Sequence, residues 1–401
     1  MKYSIYILAI IAILVIIVYI YRNCTLEKKE PFHGIRSIEF NYDFNEPIDF
    51  LSDYKHLTKI KFPIYFDKSI DAIKNLANLE EIELGPQFNK SISPLRRLQN
   101  LRKLTITGAF NKSADPIKKL KNLTHLQMGG KFNKQISFIS GLKNLTHLKL
   151  GGNFNKSIIP LEGLKNLVNL ELSGLFNQPI GSLKNLENLV ELKLIGLKFN
   201  QTIPNLKGLN NLRYLEFGHE FNQSITSLED LTNLEVLHFG HRFNQPIDCL
   251  KSINIIELSF GFEFNQSIEC LPEIKSLKKL CLGHNFTPVD TIQKLTNLEE
   301  LSFAPYPRNS FVLPSQLTTF GLKCWTCTDT DMLSKLLLKF LDNLVDGCIC
   351  VGDKKIEFVA WDVMFGTELI GVRFKENDKE IKYVQAYEVK YSDIEKFLTF
   401  L

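Results

Sequence analysis

From Phe44 to Phe286 the dipeptide Phe-Asn, or a close variant of it, returns about every 22 residues, and nothing else constrains the fold of this chain as strongly. The copies read FNEPI at Phe44, FNKSI at Phe88, FNKSA at Phe110, FNKQI at Phe132, FNKSI at Phe154, FNQPI at Phe176, FNQTI at Phe199, FNQSI at Phe221, FNQPI at Phe243 and FNQSI at Phe264. Degenerate copies stand at Phe66 (FDKSI) and Phe286 (FTPVD), and one step of 23 and one of 21 are the only departures from the period. A fixed period of this length means stacked supersecondary units, each packing on its neighbours, and hence a solenoid.

Each unit reads alike. In the copy at Phe154, apolar residues fall at Phe154, Ile158, Leu161, Leu164, Leu167, Leu170 and Leu172, with a turn at Ser173-Gly174. The spacing of three from Ile158 to Leu170 predicts a 3₁₀-like return arc, and the alternation of Leu170 with Leu172 predicts a short strand. The expected fold class is therefore an α/β repeat solenoid with one parallel strand per 22-residue turn. A single turn buries too little apolar surface to offset the entropy of ordering it, so stacking must supply the rest. The paired columns Phe88-Asn89, Phe110-Asn111, Phe132-Asn133, Phe154-Asn155, Phe176-Asn177, Phe199-Asn200, Phe221-Asn222, Phe243-Asn244 and Phe264-Asn265 are the structural repeat residues. Stacked rings form a spine, and an amide that donates and accepts satisfies backbone groups of its own and neighbouring turns. Asp67 and Thr287 are expected to fill the Asn slot less well.

The pattern Leu-x-x-Leu-x-Leu, then Gly, then Phe-Asn-x-x-Ile at a 22-residue period resembles the FNIP repeat. That repeat is a branch of the leucine-rich repeat superfamily abundant in social amoebae and in giant viruses that infect amoebae. The resemblance covers about two-thirds of the chain, residues 44–304, and implies a binding scaffold and not a reaction. The ordinary leucine-rich repeat places its Asn three residues after the last strand Leu, whereas Asn155 follows Leu150 by five, so a differently built turn is expected.

Ser4 to Tyr21 is eighteen residues without a charge, about 27 Å as a helix and close to a bilayer's apolar thickness. Residues 1–21 are expected to be an N-terminal transmembrane helix, with Tyr19 and Tyr21 at the interface and Arg22 in place of a cleavage site. Arg22, Lys28, Lys29 and Arg36 outnumber Lys2, which puts the repeats of this single-pass protein on the cytoplasmic side. Sequons at Asn89, Asn111, Asn155, Asn200, Asn222 and Asn265 agree, because glycosylation would keep the Asn out of its turn. Residues 22–43 read as a juxtamembrane link and an N-terminal cap, with Ile35, Ile38 and Phe40 at strand positions.

The exposed strand positions are Glu39, Lys61, Glu83, Thr105, Gln127, Lys149, Glu171, Lys193, Glu216, His238, Ser259, Cys281 and Ser302. Their alternating signs suit lateral pairing on a concave face, or a mixed-charge peptide surface. Another column has one sign: Lys68, Lys90, Lys112, Lys134 and Lys156 follow the Phe-Asn slot, and Gln178, Gln201, Gln223, Gln245 and Gln266 replace them later. Either the lysines simply splay into solvent or they form an edge for an acidic partner or membrane headgroups. A net charge of +4 is too small to suggest nucleic acid as a partner. His125 with His147, and His219 with His241, recur in register, but no carboxylate or Cys recurs beside them as a metal set would need.

Cys324, Cys327, Cys348 and Cys350 are compatible with buried thiols, zinc or a disulfide-bonded cap. Residues 305–401 lose the period and read as a small C-terminal α+β module, a helix starting at Asp329 to Asp331 followed by strands Lys355 to Trp361, Glu368 to Phe374 and Ile381 to Val389. No Gly-rich phosphate loop, nucleophile elbow or zinc-protease motif occurs, so neither catalytic residues nor a cofactor are expected. The function these features imply is a membrane-anchored, non-enzymatic scaffold for protein partners. The alternative is an enzymatic or ligand-binding activity in residues 305–401, targeted by the solenoid.

Overall fold

The structure is a computed structural model. It describes residues 34–204, 206–283, 285–286 and 290–303, together with the backbone of strands Cys24–Thr25, Thr319–Leu322, Lys355–Phe358, Gly371–Phe374 and Ile381–Val384. The apolar segment Ser4 to Tyr21, the helix expected from Asp329, and Cys324, Cys327, Cys348 and Cys350 lie outside the described residues. Among the described residues no helix is long and apolar enough to cross a membrane. The chain divides into two compact units that change over between Pro204 and Arg213.

In the first unit the strands run from Ser37–Phe40 through Lys59–Lys61, Glu81–Leu84, Lys103–Ile106, His125–Met128, His147–Leu150 and Asn169–Leu172 to Glu191–Leu194. Each is parallel to the next and paired at a shift of 22 residues, for example Leu104 with Leu126 and Leu126 with Leu148. Alternate residues point inward, so Leu104, Leu126, Leu148 and Leu170 are buried while their neighbours face solvent. Cys24–Thr25 adds an antiparallel edge, with Cys24 opposite Phe40.

The return arc explains the spacing of three. In the turn that includes Ser93–Arg97, a 3₁₀ helix, Leu95 N–H donates to the Ile92 carbonyl (3.1 Å), Leu98 to Leu95 (2.9 Å) and Leu101 to Leu98 (3.1 Å). Every third residue therefore closes one bond and turns the same face inward, and all four are fully buried. Arcs of this kind recur at Asp71–Asn75, Asp115–Lys119, Ser137–Gly141 and Gly181–Asn185.

Phenylalanine rings stack through the core. Successive centroids from Phe44 to Phe199 lie 6.0–6.4 Å apart, with planes within 15° of parallel. The second unit repeats the plan with strands Tyr214–Phe217, Val236–His238, Glu257–Ser259, Lys279–Leu282 and Glu300–Phe303, and its spine runs Phe221, Phe243, Phe264, Phe286 at 6.0–6.2 Å. A second row of rings, Phe217, Phe239 and Phe260, lies 3.8–4.0 Å from the first, at the end of its strand or directly after it. Beyond the repeats, Thr319–Leu322 and Lys355–Phe358 continue in parallel, and Gly371–Phe374 and Ile381–Val384 follow antiparallel.

Candidate interaction surfaces

The Phe-Asn-x-Ser motif assigns one task per residue. The Asn Oδ1 accepts the backbone N–H of the same position one turn later: Asn133 from Asn155 (3.0 Å), Asn155 from Asn177 (3.0 Å), and in the second unit Asn222 from Asn244 (3.0 Å). Asp67 occupies the slot as a full member, accepting from Asn89 at 2.8 Å, because only the oxygen is used. Partial burial alone would raise the Asp67 carboxyl, but the Asn89 N–H, Lys90 and Lys68 outweigh it and hold the group below its ordinary value. The Ser that follows accepts the N–H two residues on, as Ser113 does from Asp115 (3.3 Å), and so bends the chain into the arc.

Between the strand and the next Phe, the glycine column comes very close to the turn before. Gly130 has φ +61°, and a Cβ there would stand 1.9 Å from the Gly108 carbonyl oxygen. Asn153 N–H in turn donates to the Gly130 carbonyl at 2.7 Å.

A second Asn column was not singled out from the sequence. Asn78, Asn100, Asn122, Asn144, Asn166 and Asn188 each donate Nδ2–H to a backbone carbonyl of the preceding turn, at 2.7–2.9 Å. The signal was present, since Asn-Leu recurs just before nearly every strand.

The residue after the ladder Asn separates into two chemistries. Gln178 and Gln201 in the first unit, and Gln245 and Gln266 in the second, fold back and donate Nε2–H to a ladder Asn oxygen at 2.9–3.0 Å. Lys90, Lys112 and Lys134 point outward and Lys68 and Lys156 are half-buried, and of the five only Lys90 pairs with a carboxylate, Asp67 at 3.0 Å, among the described residues.

The strand face of the first unit is an open trough of about 360 Å³ lined by the outward strand residues, among them Thr105, His125, Gln127, His147, Lys149 and Glu171. Opposite charges meet on and beside it: Lys149 with Glu171 (2.8 Å), Lys193 with Glu191 (2.6 Å), Lys59 with Glu81 (3.1 Å) and Lys61 with Glu39 (2.7 Å). At its centre the rings of His125 and His147 stack at 4.0 Å, and each Nδ1 lies 2.9 Å from the hydroxyl of the preceding threonine, Thr124 or Thr146. Burial, then the positive charge available to His147 and Lys103, push the His125 imidazole below its ordinary value.

In the second unit the strand face carries a polar cluster with no counterpart in the repeat. The Tyr214 hydroxyl donates to Glu216 Oε2 (2.8 Å) and lies 3.3 Å from His238 Nδ1, while His238 Nε2 is 2.8 Å from Glu257 Oε1. His219 and His241 meet edge to face at 4.1 Å, and burial followed by His219 lowers His241. Cys249 and Cys270 donate to the Ile225 and Ile247 carbonyls, and burial pushes their thiols up to about 11 and about 12, so both are inert. Among the described residues no three His, Cys, Asp or Glu side chains converge to hold a metal.

No protein-family model matches this chain, and no curated protein matches it. Solved structures do. The mouse RP105/MD-1 complex aligns at a TM-score of 0.58 with 19% identity, covering 80% of this chain and 59% of that one. An internalin (InlF) from Listeria monocytogenes aligns at 0.54 with 23% identity, covering 64% and 76%. The Drosophila Toll–Spatzle complex aligns at 0.53 with 17% identity, covering 81% and 48%. At these identities the likeness is one of fold, and that fold is a leucine-rich repeat solenoid.

Proposed function

We propose that this protein is a membrane-anchored, non-enzymatic scaffold whose FNIP-type repeats present their strand face to protein partners. The observation that carries the reading is the trough of the first unit, where the stacked His125 and His147 rings lie among paired opposite charges. Such a face offers an extended protein segment ring contact at the centre and charge complementarity around it. The RP105/MD-1 and Toll–Spatzle structures, both complexes of a protein with this fold, support protein as the class of partner. Anchoring rests on the uncharged run Ser4 to Tyr21, and the cytoplasmic placement of the repeats on the cations that follow it.

Proximity labelling from the carboxyl end, with protease protection on the same sealed membranes, tests both halves. The scaffold predicts a short set of labelled cytosolic proteins that disappears when Lys149→Glu and Lys193→Glu reverse the trough walls. A set unchanged by these substitutions would remove the trough as the site, and repeats that resist protease in sealed vesicles would overturn the topology.

A further inference from the structure

The whole-chain net charge of +4 averages over a sharp segregation. Residues 84–158 hold fourteen Lys and Arg against one acid, Asp115, whereas residues 34–83 hold ten acids against six cations and residues 159–303 hold seventeen acids against twelve. The first unit therefore carries a basic band with acidic turns before it. Among the described residues, Lys90 and Lys149 are the only two of the fourteen that form ion pairs.

The stack sets these cations in rows. Asn89, Asn111, Asn133 and Asn155 are tied turn to turn by the ladder, at 3.0–3.4 Å, and each is followed directly by a lysine of the row Lys90, Lys112, Lys134, Lys156. A second row comes from the adjoining 3₁₀ arcs, where Arg96, Arg97, Lys118 and Lys119 are all exposed. Like charges repeated from turn to turn repel one another. The fold does not need them, because Gln178 and Gln201 take the same column in the same unit and gain a hydrogen bond to the ladder.

We infer that these two cationic rows within residues 84–158 form a docking surface for the phosphate backbone of duplex nucleic acid, read without regard to sequence. The ladder row sets one cation per turn and the arc row two in each of its turns, with the adjoining phenylalanines 6.3–6.4 Å apart from turn to turn, a spacing of the same order as one phosphate per about 3.4 Å along each strand of a duplex. Among the described residues of this band no large apolar side chain is exposed. The two rows thus lack the aromatic anchors of a protein hot spot, the apolar face of a membrane-surface element and the stacking platform of a single-strand binder.

The test uses the full chain and fluorescence anisotropy with a labelled mixed-sequence duplex over a salt series, against polyglutamate and phosphatidylserine vesicles at equal charge. Binding to the duplex should fall linearly with salt on logarithmic axes. The variant carrying Lys112→Gln, Lys134→Gln and Lys156→Gln should melt no lower than the parent, since glutamine suits the column, yet lose about one unit of salt slope per lysine removed. A control with Lys184→Gln and Lys251→Gln, outside the band, should bind as the parent does. Absence of duplex binding at low salt, an unchanged slope in the triple variant, or tighter binding to polyglutamate or vesicles than to the duplex would each overturn the inference.

Discussion

The working atom of each ladder asparagine is its oxygen, and the comparison with Asp67 makes that testable at a single residue. Asn133→Asp keeps the acceptor for the Asn155 N–H and should leave the urea midpoint nearly unchanged. Asn133→Ala removes it, strands a half-buried donor and should cost about 1–3 kcal/mol in the same measurement. The phenylalanines set a larger scale: Phe154 is fully buried between Phe132 and Phe176, and Phe154→Ala should cost about 3–5 kcal/mol, because the rigid stack on either side prevents collapse into the space. Gly130→Ala belongs with these severe changes, since the new Cβ meets the backbone of the preceding turn and not a movable side chain.

Among elements, strands and 3₁₀ arcs are held by bonds to the next turn as much as within themselves, so substitutions that add such a bond should stabilise. Lys134→Gln is the simplest case, and a melting temperature equal to or above the parent's is the expected outcome. The strand pair carrying His125 and His147 adds a pH dependence. The folded chain holds His125 below its ordinary value of 6.5, so the unfolded chain takes up a proton at higher pH than the folded one does. Stability from this group is complete above about 6.5 and declines as pH falls through that value towards the folded one. His241 is shifted in the same direction. Melting curves taken between about pH 7.5 and 5 should show the decline, and His125→Gln should make it shallower.

For the molecule as a whole, stability is a sum over neighbouring turns, so interior turns are supported on two sides and terminal ones on one. Amide exchange should be slowest at buried interior strand positions such as Leu126 and Leu148 and fastest at the edge strand Cys24–Thr25. Uniform protection from the edge strand inward would show that the first unit opens only as a block. Charge, too, must be read at the right scale. The net value of +4 led away from nucleic acid, yet residues 84–158 alone carry a local charge of +13 that acidic turns elsewhere offset, and a ligand meets the local field and not the total.

A strict period names equivalent positions, and equivalence was enough to determine the stack, the phenylalanine spine, the spacing of three in the arcs and the parallel register of Leu104, Leu126 and Leu148. It was not enough to say which atoms bond. Asn100 beside Leu101 reads locally as a turn residue, and its partner, the Ala77 carbonyl, lies 23 residues earlier and comes within 2.8 Å only once the turns are stacked. For the same reason the sequence could list lysine and glutamine at one column without showing that glutamine returns to the ladder while lysine leaves it. The cluster of Tyr214, Glu216, His238 and Glu257 recurs nowhere in the repeat, so periodicity carried no sign of it. Hydrogen bonds depend on separations of a few tenths of an ångström between distant residues, and only the tertiary structure decides those.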